Sequence, residues 1–515
     1  MGVGLGNLSI KAEMIVIKNT CRHFLNLLVS CAVSILPLQS IRAQVEMQWS
    51  DDLFLTSENK IPKIFGYDET GYYMLTDDYT WAIEKLDADM QHAGIEYLNL
   101  NKGFRTFELV DVVHFHDTLY LFTNEMRMKS MILYVETINK ETLEQNEDRR
   151  RIIEVFNMGG WIADFDITLS KLEQKLLVSE RIVIYGQKTE EVHFMVFGKG
   201  MELEWEARES IHHDRKIYKE AEFVVDDKGN AYMLSLYFDP VLVQNLNPRK
   251  NSYSVIACTD KGGSVKTYRI DISERYIRGI GIEPGVNDDL MVAGFYSPSL
   301  NDFTVDGVFS LSIDYRTKEM RNLKFHEFAP YFIEENMDRK QGKELKYLYS
   351  FNLDHMALRK NGNMVLVAEQ MYDQSFDTYK NLLVVCLTPD GEISWERSIT
   401  KNQNHNKNSY PNYSSYAFLA PHDRNKVEII FNDHLKNMDA AEGKPRKNFQ
   451  YNNKSYLKHV TLGRLGEVGE ETIYVRDKRK LLIPAPYYFY DMKNHEMIIP
   501  ALRYRKYKFA KIGFK

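Results

Sequence analysis

Short apolar runs, each introduced by a polar turn, recur along the chain and predict β-strands. The turns are rich in Asp, Asn and Gly, and aliphatic, β-branched or aromatic residues follow them, as in Asp68–Leu75 and Asp227–Leu234. These turn residues tolerate positive φ, which tight hairpins require. Equivalent strand positions in the successive copies are Tyr73, Tyr120, Leu177, Tyr232, Met291, Val365, Glu428 and Ile498. The pattern therefore predicts eight copies of one hairpin.

A second hairpin follows most copies of the first. The segments Ser254–Val265 and Leu382–Ile393 align on their turn glycines, and the alignment superimposes Cys258 on Cys386. Two cysteines at the same strand position of different repeats behave as small buried hydrophobic residues. We therefore predict that they are not disulfide-bonded to each other.

Two hairpins per repeat give a four-stranded antiparallel sheet, which is the size of a propeller blade. Helical periodicity is hard to find anywhere in the chain, which argues against helical and doubly wound folds. The sequence thus predicts an all-β fold, a single β-propeller over residues 44–515, with eight blades favoured and seven as the alternative. The segment Gln44–Leu55 is expected to complete the last blade, Leu481–Phe514.

The N-terminal segment predicts export. An apolar run, Phe24–Leu38, follows basic residues and precedes Ala43, as in a signal peptide cleaved after Ala43. The run is too short to span a membrane. We expect residues 1–43 to be removed and the protein to reach the periplasm, the cell surface or the medium. A lipobox-like sequence ending at Cys31 leaves a lipoprotein as the alternative.

The net charge of the chain limits the classes of partner that it is expected to bind. The chain has a formal net charge of −6, and residues 1–43 contain four basic residues and one acidic residue, so the mature charge is −9. An acidic balance argues against nucleic acid as the partner. No segment of the mature chain is apolar enough to span a membrane, and only Cys258 and Cys386 remain. We expect a monomer.

One blade motif resembles a known group of proteins. The segment Pro389–Trp395 is similar to the blade signature of quinoprotein-like propellers, in which the Trp docks neighbouring blades. Together with Ala43-Gln44, Ala293–Ser297, Trp395–Lys401 and Phe431–His434, it resembles secreted, mostly uncharacterised propeller-like proteins of Bacteroidetes. Quinoprotein dehydrogenases characteristically carry a vicinal Cys-Cys pair, which this sequence lacks. We therefore predict no cofactor.

Loop length points to one face of the ring. Turns between the first and second and between the third and fourth strands of a blade are short, whereas the loops on the other face are long and suit ligand binding. Two of the long loops, Lys401–Asn408 and Lys436–Lys454, are rich in amides or basic residues. We predict that a glycan, peptide or protein binds there. The candidate ligand-binding residues are Tyr296, Tyr372, Asn432, Asp433, His434, Lys444, Arg446 and Lys447.

Catalysis has less support in the sequence. Asp433 and His434 could form an acid–base pair, and the run His212-His213-Asp214 could supply metal ligands, although a metal site normally needs three or four converging groups. Nucleophile-elbow, HExxH, P-loop and EF-hand motifs are absent from the sequence. We predict a non-catalytic binding or scaffolding propeller. The alternative is a hydrolase or lyase whose site is assembled from several blades near the channel axis.

Overall fold

A computed structural model gives the fold of the second of two units, Gln44–Lys515, into which the chain divides after Ala43. The predicted signal peptide, residues 1–43, lies outside the described residues. The structure describes residues 45–54, 61–102, 104–146, 148–156, 161–184, 189–212, 218–238, 252–272, 274–285, 289–298, 304–336, 348–373, 377–407, 412–440, 446–451, 454–476, 481–503 and 505–514.

The second unit is an eight-bladed β-propeller in which each blade is a four-stranded antiparallel sheet. We number the blades 1 to 8 and give their strands from the channel outward. Blade 1 consists of Lys63–Asp68, Gly71–Asp78, Thr80–Asp87 and His92–Tyr97, and blade 2 of Glu108–Phe115, Thr118–Met126, Ser130–Ile138 and Arg150–Phe156. Blade 3 consists of Trp161–Leu169, Leu176–Ile184, Thr189–Gly198 and Glu202–His212, and blade 4 of Tyr218–Val225, Ala231–Phe238, Ser252–Thr259 and Ser264–Ile270.

The remaining blades follow the same order, and the fourth strand of blade 8 comes from the beginning of the unit. Blade 5 consists of Tyr276–Pro284, Asp289–Ser297, Gly307–Asp314 and Glu319–Glu327, and blade 6 of Phe351–Leu358, Met364–Asp373, Asp377–Leu387 and Ile393–Ile399. Blade 7 consists of Ala417–Leu419, Val427–His434, Ser455–Leu462 and Val468–Arg476, and blade 8 of Phe489–Asp491, Glu496–Arg503, Lys506–Phe514 and Val45–Trp49. Innermost strands of neighbouring blades contact one another around the channel.

Short elements lie in the loops between the blade strands. One of them corrects the sequence prediction, since the expected loop 401–408 contains the strand Gln403–His405. Another is the α-helix Pro330–Asn336, which follows the last strand of blade 5. The others are the strands Leu53–Phe54, Asn101–Lys102, Arg105–Thr106, Thr304–Val305 and Leu348–Tyr349 and the 3₁₀ helices Lys199–Met201 and Leu435–Asn437. Among the described residues, no helix is long and apolar enough to cross a membrane.

The ring closes by pairing its two ends. Val45–Trp49 runs antiparallel to Lys506–Phe514, with Val45 opposite Phe514 and Trp49 opposite Ala510. This pairing confirms that the N-terminal strand completes the last blade. It also removes two free sheet edges, which would otherwise expose unpaired backbone groups.

The core consists of eight apolar clusters, each shared by two neighbouring blades. Side chains of a strand alternate between the two faces of its sheet. In blade 6, Met364 and Leu366 accordingly pack against blade 5, whereas Val365 and Val367 pack against blade 7. Eight interfaces for eight blades rule out the seven-bladed alternative.

Two tryptophans join successive blades in the way that the blade motif implies. Trp205 of blade 3 donates from Nε1 to the carbonyl of Gly229 in blade 4 (2.9 Å), and Trp395 of blade 6 donates to the carbonyl of Arg464 in blade 7 (3.0 Å). Gly466 packs so closely on the Trp395 ring that an added Cβ would lie 3.0 Å from it. Glycine is needed here both for that contact and for a φ of +80°.

Candidate functional site

A buried ion pair lies at the junction of blades 6 and 7, on the long-loop face. The ammonium of Lys401 binds Glu369 and donates to Gln403 Oε1 (2.9 Å). The Lys401 side chain is fully buried, and Glu369 is 4 % exposed. Burial lowers the pKa of Lys401, whereas the charges of Glu369, Asp354 and Asp433 raise it. One carboxylate thus contacts this ammonium group, and the charges of two others act on it.

Gln403 connects this pair to both blades. Its Nε2 donates to the carbonyl of Asn432 in blade 7 (2.7 Å), and its Oε1 also accepts the Ser415 N–H (2.7 Å). Ser415 Oγ in turn donates to Glu369 Oε2 (2.6 Å). Each of these buried polar side chains has a hydrogen-bond partner. A buried polar network that is satisfied in this way makes the structure rigid rather than destabilising it.

Asp354 lies on the innermost strand of blade 6, Phe351–Leu358. Its Oδ2 accepts a hydrogen bond from Tyr416 OH (2.9 Å). Asp354 as a whole residue is exposed, but burial of its carboxyl group by the surrounding protein, together with the negative charge of Glu369, raises the pKa of Asp354 to about 7. Asp354 can therefore exchange a proton near neutral pH.

The two long loops predicted to form a binding rim are hydrogen-bonded to each other. We call residues 401–407 and the described parts of 435–451 the rim segments. Asn404 N–H donates to the carbonyl of Phe449, and Phe449 N–H donates to the carbonyl of Asn402, both at 2.9 Å. Phe449 is fully buried. The first rim segment also adds the strand Gln403–His405 to the sheet of blade 6. The predicted neighbourhood of these loops is therefore present.

Asp433 holds the second rim segment in place. Its Oδ2 accepts from Tyr456 OH (3.0 Å) and its Oδ1 from Asn437 Nδ2 (2.7 Å). The same Asn437 amide group donates to the Lys447 carbonyl and accepts the Lys447 N–H. The hydrogen bonds of Asp433 are thus used inside the protein, which suits a positioning role.

His434 ends its strand as the N-cap of a short helix. Its Nδ1 accepts the Lys436 N–H (3.0 Å), and burial lowers the pKa of the ring. Among the described contacts, no hydrogen bond joins the side chains of Asp433 and His434, so the predicted acid–base pair has no support from this geometry.

Aromatic rings and ammonium groups face solvent around the rim. Tyr413 stacks on Tyr451 with ring centroids 6.4 Å apart, and Tyr451 is 49 % exposed. Lys436, Lys447 and Lys454 are exposed, and Arg446 is partly buried because its guanidinium donates to the Asn437 carbonyl (2.9 Å).

The other predicted site residues have varied surroundings. Tyr372 stacks on Tyr349 and accepts from Gln370 Nε2 (2.9 Å) near the rim. Tyr296 is only 1 % exposed and packs edge-on against Phe325 in blade 5, so burial removes it from the surface offered to a ligand. Asn432 is buried too, and its Nδ2 donates to the carbonyls of Tyr413 and Ile483. His212 is exposed at the end of its strand, whereas His213, Asp214 and Lys444 lie outside the described residues.

One cluster has the composition of a metal site. Asp68, His114 and Asp117 bring ligand atoms within 4.8 Å of one another, near the tight turns of blades 1 and 2. The ammonium of Lys140 lies between the two carboxylates, 2.5 Å from Asp68 and 2.6 Å from Asp117. The protein's own ammonium group therefore already bridges the two carboxylates of this cluster.

The sequence interpretation missed the buried pair, because Lys401 stands in a polar run typical of solvated loops. A signal was present in its partner, since Glu369 directly follows the apolar run 364–368 within the strand Met364–Asp373, and a buried carboxylate requires a counter-charge.

Comparison with known proteins gives little beyond the fold. No protein-family model and no curated protein sequence matches this chain. Prolyl oligopeptidase B from Galerina marginata is 9 % identical with a TM-score of 0.40, and the similarity covers 90 % of this chain and 56 % of that one. A protein of unknown function from Dyadobacter fermentans is 10 % identical with a TM-score of 0.32, over 68 % of this chain and 94 % of that one. Synechocystis apocarotenoid oxygenase is 9 % identical with a TM-score of 0.34, over 90 % and 93 %. The similarity is too low for a functional conclusion.

Proposed function

We propose that the protein is an exported, non-catalytic binding propeller and that its ligand is an acidic glycan held on the rim of blades 6 and 7. The observation that carries this proposal is the mutual locking of the rim segments by buried hydrogen bonds, with Tyr451 and Lys447 left exposed. A surface loop without a function does not need hydrogen bonds that fix its conformation. A binding rim benefits from them, because a preorganised site lowers the entropy cost of binding.

The chemistry of the rim favours a sugar that carries carboxylates or sulfates. The stacked pair Tyr413 and Tyr451 offers flat apolar area on which a sugar ring can pack. Exposed Lys436 and Lys447 outnumber the acidic groups of the described rim, where Asp439 is the exposed carboxylate. Export is proposed from the N-terminal segment alone.

Calorimetric titration with polygalacturonate and with its methyl ester, which lacks the charges, tests the proposal. The Lys436→Ser/Lys447→Ser variant leaves the Arg446 hydrogen bond intact and should weaken polygalacturonate binding by about tenfold or more, since each lost charged contact contributes roughly 1 kcal/mol. Exposed lysines of other blades supply the matched control, Lys129→Ser/Lys199→Ser. Equal weakening in both variants, or preference for the ester, would contradict the proposal.

A second candidate function rests on Asp354. A carboxyl group on an innermost strand, with a pKa of about 7 and a hydrogen bond from Tyr416, has the properties of a general acid in a hydrolase or lyase. Chromatography of polygalacturonate incubated with the protein would reveal shortened products. We expect none; products that vanish in the Asp354→Asn variant would establish the enzyme instead.

A further inference from the structure

A cavity lies at the opposite end of the channel, on the tight-turn face, far from the rim. The turn after the first strand of blade 3, Ser170–Lys175, reaches across the channel end. Lys171 Nζ donates to Glu283 Oε1 of blade 5 (2.7 Å) and to the Leu358 carbonyl of blade 6 (3.0 Å). Blades 3 and 6 are not neighbours, so this side chain spans the mouth of the channel.

Blade 4 anchors the same turn. Asp227 Oδ1 accepts both the Ser170 hydroxyl (2.6 Å) and the Leu172 N–H (3.0 Å). Under and beside the turn lies a partly open cavity of about 490 Å³. Its volume is within the range of small-molecule sites. Leu169, Val224, Pro284 and Leu358 form its apolar wall.

The polar wall of the cavity is acidic. Asp226, Asp227, Glu283 and Asp289 line it, against the ammonium groups of Lys171 and Lys228. His422 also lines it, and burial and the charge of Lys171 lower the pKa of that ring, which keeps it neutral. The neighbouring Glu222 has a raised pKa because of burial and the charge of Glu283. Negative charge therefore exceeds positive charge in this cavity.

The cavity already holds one alkylammonium group, that of Lys171. Asp227 and Glu283 each use one carboxylate oxygen for the contacts described above, and their second oxygens remain available to a ligand in the described contacts. An ammonium head on these oxygens with a short apolar body on the Leu169–Val224 side would satisfy both parts of the lining.

We propose that this cavity binds a small organic amine, a primary ammonium group attached to an aliphatic or aromatic body. The site is independent of the glycan rim, because it lies at the other end of the channel and shares no residue with the rim segments.

Ligand-observed NMR with phenethylamine tests the proposal, with phenylacetate as the analogue of opposite charge. Phenethylamine should bind and phenylacetate should not. Asp227→Asn and Glu283→Gln keep the acceptors for Ser170, Leu172 and Lys171 but remove charge, and each should weaken amine binding by about tenfold or more. Asp390→Asn, an exposed carboxylate on a tight turn of blade 6, is the matched control and should change nothing.

Thermal unfolding of each variant checks that the fold persists, and the two substitutions lie on different blades, so one suffices if the other fails to fold. Three outcomes would overturn the proposal: absence of phenethylamine binding, preference for phenylacetate, or unchanged amine binding in the folded variants.

Discussion

Replacing Lys401 by Met removes the one ammonium from the buried cluster between blades 6 and 7. Met has a similar length and fills the same space, so the change is mainly electrostatic. Glu369 then keeps the Ser415 hydroxyl as its partner but loses its counter-ion, and Asp354 and Asp433 add negative charge nearby. We expect the variant to be strongly destabilised and the rim to lose its anchor.

The magnitude follows from burial. Breaking a buried ion pair by removing one partner costs about 3–5 kcal/mol, because the remaining charge is left without compensation. A less buried pair in the same rim segment provides the comparison: Lys407 lies 3.3 Å from Asp377, and the two side chains are 42 % and 15 % exposed. Because water still reaches the Lys407 side chain, Lys407→Met should cost clearly less than Lys401→Met, on the order of 1 kcal/mol.

Equilibrium unfolding in urea, followed by tryptophan fluorescence, measures these differences. Adding Glu369→Gln to Lys401→Met removes the uncompensated carboxylate and should recover most of the lost stability, which a double-mutant cycle reports as a coupling energy. The reasoning is refuted if Lys401→Met costs no more than Lys407→Met, or if the double variant is no more stable than Lys401→Met.

Other substitutions probe separate features. Arg359 is 1 % exposed and, in the described part of the chain, none of its guanidinium nitrogens has a hydrogen-bond partner, so Arg359→Met should stabilise the protein by roughly 2 kcal/mol or more and raise its melting temperature, whereas Arg359→Lys should not. The pKa of Asp354 is raised to about 7 in the folded protein, so the protonated carboxyl group stabilises the fold at low pH, and this contribution is lost as the pH rises from about 4 to 7. The melting temperature of Asp354→Asn should therefore equal that of the wild type near pH 4 and exceed it above pH 7. Asn437→Ala should leave the melting temperature within a few degrees but speed amide hydrogen exchange in residues 446–449. Deletion of Leu481–Lys515 should lower the melting temperature of the whole ring, seen by calorimetry, and a wild-type transition in the shortened chain would contradict ring closure.

The architecture was predictable because each blade repeats a local signal. The turn at Asp226–Asn230, for example, is specified by an aspartate that accepts from Lys228 N–H and Asn230 N–H, an interaction contained within five residues. Alternation in Met364–Val367 likewise predicts two buried faces from sequence alone. Blade number and the closing strand follow from such local patterns.

The candidate sites depend on groups far apart in the chain, which no local pattern reveals. Lys401 pairs with Glu369, which lies 32 positions earlier in the chain, and Lys171 donates a hydrogen bond to the carbonyl of Leu358, which lies 187 positions later. The position of the rim was predictable from loop length, but the use of Asp433 as a support and the burial of Tyr296 depend on packing between blades. Loop length directed the search for a binding site to the other face, yet the face of the short turns holds the cavity beside Lys171.

Closure of the ring also constrains when the protein can finish folding. The Ser50 hydroxyl accepts the Phe509 N–H across 459 residues, so this last sheet assembles only after all the residues between them have been synthesised. Until then blade 8 has an open edge at Lys506–Phe514, and the strand Val45–Trp49 is free to pair with that edge on another molecule. At high concentration, refolding should therefore yield strand-exchanged dimers in competition with closed monomers, and the ratio of the two should follow protein concentration.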